Sequence, residues 1–175
     1  VISPADSFET TKAISAALKS NLSSYIRLTG GTNNPIIYDK DYEFIIGKAV
    51  TIKEGKDIAI ISTGTMVSES LKAYGELKKV NIIPTVINIH TIKPIDKEKI
   101  IEVAKTHKLI LTIEEHNIIG GLSSAVSEII SSDNFNCKQL TIGVKDTYDK
   151  GGSYQLLKEK HELNSKNIVS KILEN

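Results

Sequence analysis

The feature that most constrains the fold of this chain is a short, almost unbroken apolar run at residues 109–113, followed by polar residues and a glycine pair. Such a run is typical of a strand buried on both faces of a parallel sheet. Apolar residues follow the glycines at helical spacing: Leu122, Ala125, Val126, Ile129 and Ile130. One stripe of this helix must therefore pack on the sheet. The polar residues between strand and helix are predicted to lie at the carboxyl edge of the sheet, where open α/β sheets bind ligands.

Length and composition exclude several classes of protein. The 175 residues are enough for one well-buried domain and a fragment of another. A formal net charge of +1, without a basic run, argues against a nucleic-acid partner. No apolar stretch approaches the roughly 18 residues of a membrane span, and no charged leader precedes an apolar segment, so we expect a cytoplasmic protein. Cys137 is the only cysteine, which excludes an internal disulfide and a cysteine-based metal cluster.

The remaining elements predict an α/β protein with three layers. Strands are predicted over residues 47–53, 58–61, 82–89, 109–113 and 140–144, with helices between them and two helices at the end. A turn at residues 54–57 predicts a hairpin, which would make the first strand antiparallel to the next one along the chain. The sequence thus predicts a three-layer α/β/α unit around a mixed, mostly parallel five-stranded sheet.

The first 40 residues are predicted to belong to a different domain. They contain the end of a strand, a helix capped by Asp6 with Glu9 near the capping-box position, a strand over residues 23–28 and a glycine-rich loop over residues 29–35. These elements cannot close a core alone. We therefore interpret residues 1–40 as the C-terminal remnant of a preceding α/β domain, residues 41–53 as a linker with the first antiparallel strand, and residues 54–175 as the second domain.

Glu114, Glu115 and His116 form the sharpest cluster of candidate functional residues. Two carboxylates beside an imidazole can tune a proton-transfer group. However, consecutive residues leaving a strand point to opposite sides, so the three are not expected to share one target. The favoured interpretation is that they form hydrogen bonds to neighbouring loops or to a partner subunit.

Glycines mark the start of the following helix. Gly120 and Gly121 at a helix N-terminus could bind an anion through free backbone donors. The favoured interpretation is a tight turn that approaches the sheet closely. Residues 62–65 also open a helix after a strand but lack the Walker lysine, so capping is favoured there.

Arg27 follows a predicted strand and precedes the glycine-rich loop. It could clamp a sugar phosphate through a bidentate contact, or form a surface or interface ion pair. The histidines are scattered singly, and no metal-ligand spacing emerges.

Four pieces of the sequence together resemble the transketolase family of thiamine diphosphate enzymes. They are residues 3–9, 57–65, 86–96 and the Glu-Glu-His-x-x-x-Gly-Gly-Leu-x-Ser-Ala-Val stretch at residues 114–126. The resemblance implies that the chain holds the tail of the pyrimidine-binding domain and the C-terminal domain of such an enzyme. It also implies a substrate-phosphate contact for Arg27, and a role in packing between domains and subunits for the turn that includes Glu114, Glu115 and His116.

The resemblance carries further expectations. The assembled enzyme would transfer two-carbon ketol units between sugar phosphates, using thiamine diphosphate and a divalent metal such as Mg²⁺. The family's activating Glu and its Gly-Asp-Gly motif are not matched here, so this chain alone is expected to be inactive and to bind no cofactor. Its partner would be the upstream section of the enzyme, on the same or a separate chain, in a homodimer or heterotetramer. Alternatives are deoxyxylulose phosphate synthase, a 2-oxo acid dehydrogenase beta subunit, or a non-catalytic binding or regulatory module with the same fold.

Overall fold

The computed structural model describes residues 1–29, 34–38 and 40–175. A five-stranded sheet with the order β1-β3-β2-β4-β5 forms its centre. The strands are β1 Val50–Lys53, β2 Asp57–Ser62, β3 Thr85–Asn88, β4 His107–Asn117 and β5 Lys138–Val144. The helices are α1 Ser7–Lys19, α2 Met66–Lys79, α3 Lys97–Thr106, α4 Leu122–Ile130, α5 Tyr154–Lys160 and α6 Ser165–Leu173. Only β1 runs antiparallel to its neighbour, so the predicted mixed sheet is confirmed. Residues 30–33 of the predicted glycine-rich loop lie outside the described residues.

The predicted hairpin between the first two strands is wrong. β1 is antiparallel, but it pairs with β3 at the edge of the sheet, and β3 lies between it and β2. The connection between β1 and β2 passes over the start of β3, where Lys56 N donates to Ile83 O at 3.0 Å. A β-carbon at Gly55 would lie 2.2 Å from Ile83 O, so this crossing requires glycine. Pairing with β3 therefore replaces the local hairpin.

Two apolar cores cover the two faces of the sheet, because successive residues of each strand point to opposite sides. Ile61 and Ile110 contribute to the core on the side of α3 and α4. Ile60 and Leu111 contribute to the core on the side of α2 and α6. The central strands are thus buried on both faces, as the apolar runs predicted, and the molecule has three layers.

The N-terminal segment, residues 1–29, lies against the carboxyl edge of this sheet. Ile2 forms a parallel bridge to Ile26 and an antiparallel bridge to Thr91. Over residues 23–28 the predicted strand is reduced to this single bridge at Ile26. The Asp6 carboxylate accepts from Glu9 N at 2.7 Å, so the predicted helix cap of α1 is confirmed. The Glu9 carboxylate accepts from Ala5 N, one residue before the position that a capping box requires.

Candidate functional site

Glu114 caps the N-terminus of α4 from within the protein. Its carboxylate accepts hydrogen bonds from Leu122 N at 2.6 Å and from Ser123 N at 2.8 Å. The side chain is buried, and desolvation raises the pKa of Glu114 while the two backbone donors lower it. The positive end of the helix dipole thus faces an internal carboxylate.

The two glycines permit this arrangement in different ways. Gly120 has φ +77°, in the left-handed region that disfavours side chains. Gly121 has an extended backbone, but a β-carbon there would lie 2.0 Å from Glu114 Oε2 and 2.5 Å from Asn117 O. The turn therefore approaches β4 so closely that no side chain fits at position 121.

Glu115 points away from Glu114 and meets two hydroxyl donors. Thr65 Oγ1 donates to Glu115 Oε2 at 2.6 Å, and the Tyr154 hydroxyl donates to the same oxygen at 2.7 Å. Thr65 forms no side-chain cap on α2, so the capping interpretation of residues 62–65 is wrong for this hydroxyl. Burial is the main cause that raises the pKa of Tyr154 to about 12, so the phenol stays protonated.

Arg27 connects the N-terminal segment to β4. Its Nη2 donates to the main-chain oxygen of Glu115 at 2.8 Å and lies 4.0 Å from Glu115 Oε1. Its backbone N donates to Ile2 O at 2.8 Å, which fixes the start of the side chain. The Arg27 side chain keeps 31% of its surface exposed. It lines a cavity of about 170 Å³ with Ser3 and His116, and a cleft of about 400 Å³ with Lys150 and Tyr154.

His116 takes no part in the hydrogen bonds of the Glu114 and Glu115 carboxylates. Its ring is exposed, and Nδ1 lies 3.1 Å from Asn117 O. Glu114, Glu115 and His116 thus face three different environments: a helix N-terminus, a pair of hydroxyl groups, and solvent at the rim of the smaller cavity.

A second buried carboxylate lies at the edge where the N-terminal segment meets the sheet. Glu9 Oε1 accepts from Asn88 Nδ2 at 2.8 Å, from the Tyr38 hydroxyl at 3.1 Å and from the Tyr42 hydroxyl. Desolvation raises the pKa of Glu9. One acidic side chain thus joins α1, the end of β3 and the segment that leads into β1. The sequence marked Glu9 only as a capping-box residue.

His90 is buried between the end of β3 and the segment that leads into β1. Its ring stacks on Phe44 with 4.0 Å between centroids, and its Nδ1 lies 2.9 Å from Thr91 Oγ1. Burial lowers the pKa of His90 to about 4, so it is neutral at physiological pH. Ser3 N donates to the main-chain oxygen of His90, which brings the N-terminal segment against this site.

Within residues 1–29, 34–38 and 40–175, no group of three or more His, Cys, Asp or Glu side chains is placed to hold a metal ion. In the same ranges, no helix has the length and apolar character needed to cross a bilayer.

Comparison with known proteins gives a consistent family. Residues 47–168 match the family described as "Transketolase, C-terminal domain". The chain is 36% identical over 176 residues to a protein from Methanocaldococcus jannaschii named "Putative transketolase C-terminal section", covering 99% of this chain and 54% of that protein. It is 37% identical over 169 residues to a 6-deoxy-6-sulfo-D-fructose transketolase subunit from Clostridium sp., covering 97% of this chain and 52% of that protein. The chain thus spans about half the length of these curated relatives.

Solved structures give the same result. A structure titled "Split gene transketolase, inactive beta4 tetramer" aligns with a TM-score of 0.85 and 30% identity, covering 99% of this chain and 55% of that one. Transketolase from Campylobacter jejuni aligns with a TM-score of 0.69 at 16% identity, covering 99% of this chain and 26% of that one, which indicates a shared fold.

A further sequence relative is a 1-deoxy-D-xylulose-5-phosphate synthase from Dictyoglomus turgidum. It is 37% identical over 128 residues, covering 73% of this chain and 21% of that protein.

Proposed function

The chain belongs to the transketolase C-terminal domain family, and we propose that it is the C-terminal part of a thiamine diphosphate-dependent transferase. In this proposal the complete enzyme transfers two-carbon ketol units between sugar phosphates in the cytoplasm. The chain contributes domain and subunit assembly together with one substrate contact, Arg27.

The observation that carries the proposal is the placement of Arg27. It is the only arginine in the sequence, and the other residues counted as Lys or Arg are all lysines. A planar guanidinium can bind a phosphate through two parallel hydrogen bonds, which the ammonium of lysine cannot do. Arg27 lies at the carboxyl edge of the sheet and lines a cavity beside the N-terminal segment. A basic residue held in this way suits an anionic substrate group.

The relatives suggest two classes of substrate anion. One relative's name includes a sulfonated sugar, and a sulfonate offers three acceptor oxygens to a guanidinium, as a phosphate does. A 1-deoxy-D-xylulose-5-phosphate synthase is the second candidate function, because such an enzyme is 37% identical over 128 residues. For both candidates we propose the same role for Arg27, the contact to the anionic end of the substrate.

The exposed face of the N-terminal segment supports the assembly role. Ile14 and Leu18 on α1 are 45% and 78% exposed, and Leu22 and Leu28 are 75% and 59% exposed. Because the chain spans about half of its relatives' length, an upstream section, on the same or a separate polypeptide, would cover these side chains. Residues 1–40 would then complete the pyrimidine-binding domain, in a homodimer or heterotetramer.

The cofactor belongs to that upstream section in this proposal. Residues of that section would hold thiamine diphosphate and Mg²⁺, and the bound cofactor would supply the nucleophilic chemistry of ketol transfer. The described residues of this chain orient the anionic end of the substrate and hold the N-terminal segment against the second domain.

The experiment is a comparison of Arg27→Ala and Arg27→Lys in the complete enzyme. Arg27→Ala should raise the KM for a phosphorylated sugar about tenfold or more, because a charge-assisted contact is lost. Arg27→Lys should recover only part of this loss, since the charge returns without the bidentate geometry. If neither variant changes the KM for a phosphorylated or sulfonated sugar, the proposed role of Arg27 is wrong.

A further inference from the structure

The guanidinium of Arg27 lies next to a carboxylate with which it does not form a close pair. Its Nη2 donates to the main-chain oxygen of Glu115 at 2.8 Å, whereas Glu115 Oε1 lies at 4.0 Å. Close charge-assisted pairs have N···O distances of about 2.7–2.9 Å. The carboxylate is thus near enough to compete for the guanidinium but is held back.

Two hydroxyl groups hold it back. The hydroxyls of Tyr154 and Thr65 both donate to Glu115 Oε2, at 2.7 Å and 2.6 Å. The Glu115 side chain has only 16% of its surface exposed, so these donors replace most of its hydration. With Oε2 held between them, the carboxylate cannot turn both oxygens toward Arg27.

We propose that Tyr154 is a positioning residue for Arg27: by holding the carboxylate of Glu115, it keeps the guanidinium available for the anionic group of the substrate. The inference rests on the proposed substrate contact of Arg27. Without the phenol donor, Glu115 turns toward Arg27 and forms a bidentate pair, which competes with a phosphate or sulfonate for the same N–H groups.

The phenol suits this role because it remains a donor. Its pKa is raised to about 12, mainly by burial, so it does not lose its proton in the range where an enzyme is assayed. Tyr154 begins α5, and its hydroxyl reaches β4 across 39 positions of sequence. The short helix α5 thus contributes to a site formed by β4 and the N-terminal segment.

The test measures substrate kinetics of Tyr154→Phe in the complete enzyme, with a phosphorylated sugar and with the same sugar lacking the phosphate. The KM for the phosphorylated sugar should rise about 3- to 10-fold with little change in kcat, because binding of the anion is weakened. The KM for the phosphate-free sugar should stay at the wild-type value. Thr65→Val, which removes the other donor, should act in the same direction. Tyr148→Phe is the matched control, since Tyr148 is fully exposed.

A second comparison separates positioning from a merely structural role. Glu115→Gln keeps the main-chain oxygen that Arg27 uses but removes the competing charge, so by itself it should lower the KM for the phosphorylated sugar. In that background Tyr154→Phe should have no further effect on the KM. If Tyr154→Phe raises the KM equally with and without the Glu115 carboxylate, the inference is overturned.

The two variants at Arg27 and Tyr154 distinguish this inference from the proposed function. If Arg27→Ala does not change the KM, the substrate contact itself is wrong. If Arg27→Ala raises the KM but Tyr154→Phe and Thr65→Val do not, the contact stands and the positioning role is wrong. Loss of thermal stability in Tyr154→Phe without a change in KM also overturns the inference.

Discussion

A β-carbon at Gly121 would lie 2.0 Å from Oε2 of Glu114, the oxygen that accepts the Leu122 N–H. Closeness to the cap is thus the reason that this position must be glycine. The same carboxylate also accepts from Ser123 N, so the turn, the strand and the first turn of α4 depend on one another. Substitutions in any two of these three parts should therefore have non-additive effects on the free energy of unfolding.

Gly121→Ala should lower the free energy of unfolding by about 1 to 3 kcal/mol, because the added methyl group meets both Glu114 Oε2 and the main-chain oxygen of Asn117. Gly75→Ala is the control. Gly75 lies within α2, and apart from its chain neighbours and the adjacent backbone of that helix no atom comes within 4 Å of the place its methyl group would take. Alanine there should therefore stabilise the protein by roughly 0.5–1 kcal/mol. Denaturant titrations of the two variants should therefore give shifts of opposite sign. Equal shifts would contradict the close approach.

Glu114→Gln should lower the free energy of unfolding by about 1 to 3 kcal/mol, because the amide places an NH2 group, which cannot accept, against one of the two backbone donors. The pKa of Glu114 is raised in the folded state, so the wild-type protein loses stability as pH rises through that pKa, and glutamine does not. The difference in free energy of unfolding between the two proteins should therefore narrow as the pH rises above about 4.3, the ordinary pKa of a glutamate. Glu128→Gln, an exposed change on α4, should show neither effect. A gap that widens with pH would contradict the raised pKa.

His90 should give the opposite pH dependence. Its folded-state pKa of about 4 lies below the ordinary 6.5, so the unfolded chain binds more protons between these values. The contribution of neutral His90 to the free energy of unfolding is fully present above pH 6.5. It falls by roughly 3 kcal/mol as the pH decreases to 4. His90→Phe, which keeps a ring against Phe44, should remove this part of the acid sensitivity. His116→Gln at the surface should not, and unfolding curves at a series of pH values would measure the contrast.

Local patterns in the sequence predicted part of this structure. Asp6 caps its helix, as its position before an apolar helical stripe indicated. Alternation along β4 predicted that Glu114 and Glu115 would have different partners, and they do. These features depend on residues within a few positions of each other, where spacing is informative.

The missed features depend on distant residues. Thr65 and Tyr154 reach Glu115 across 50 and 39 positions, and no local pattern indicates that contact. The pairing of β1 with β3 was missed for the same reason. It joins residues far apart in the sequence, whereas the turn at residues 54–57 is a local signal for a hairpin. Glu9 carried a local signal as a possible capping residue, but its contact with Asn88 required the packed sheet edge.

Hydrogen exchange should separate the two parts of the chain. Amides of α1 should exchange much faster than those of β4, because one side of α1 is exposed at Ile14 and Leu18 whereas β4 is paired on both sides and buried. Adding the upstream section should slow exchange in α1 and leave β4 unchanged. Equal protection of α1 and β4 in the chain alone would contradict the proposed separate origin of residues 1–40.

The chain alone should catalyse no ketol transfer and should bind thiamine diphosphate no tighter than about millimolar. Activation of the cofactor requires a carboxylate beside its aminopyrimidine, and its diphosphate requires a metal held by protein ligands. In the proposed function both belong to the upstream section, and among the described residues no group of three or more His, Cys, Asp or Glu side chains is placed to hold a metal ion. Arg27 alone offers one cationic contact, which orients an anion only within a rigid site. Isothermal titration of the chain with cofactor and Mg²⁺ should give no heat of specific binding, whereas the mixture with the upstream section should. Micromolar binding by the chain alone would show that the cofactor site lies within these residues.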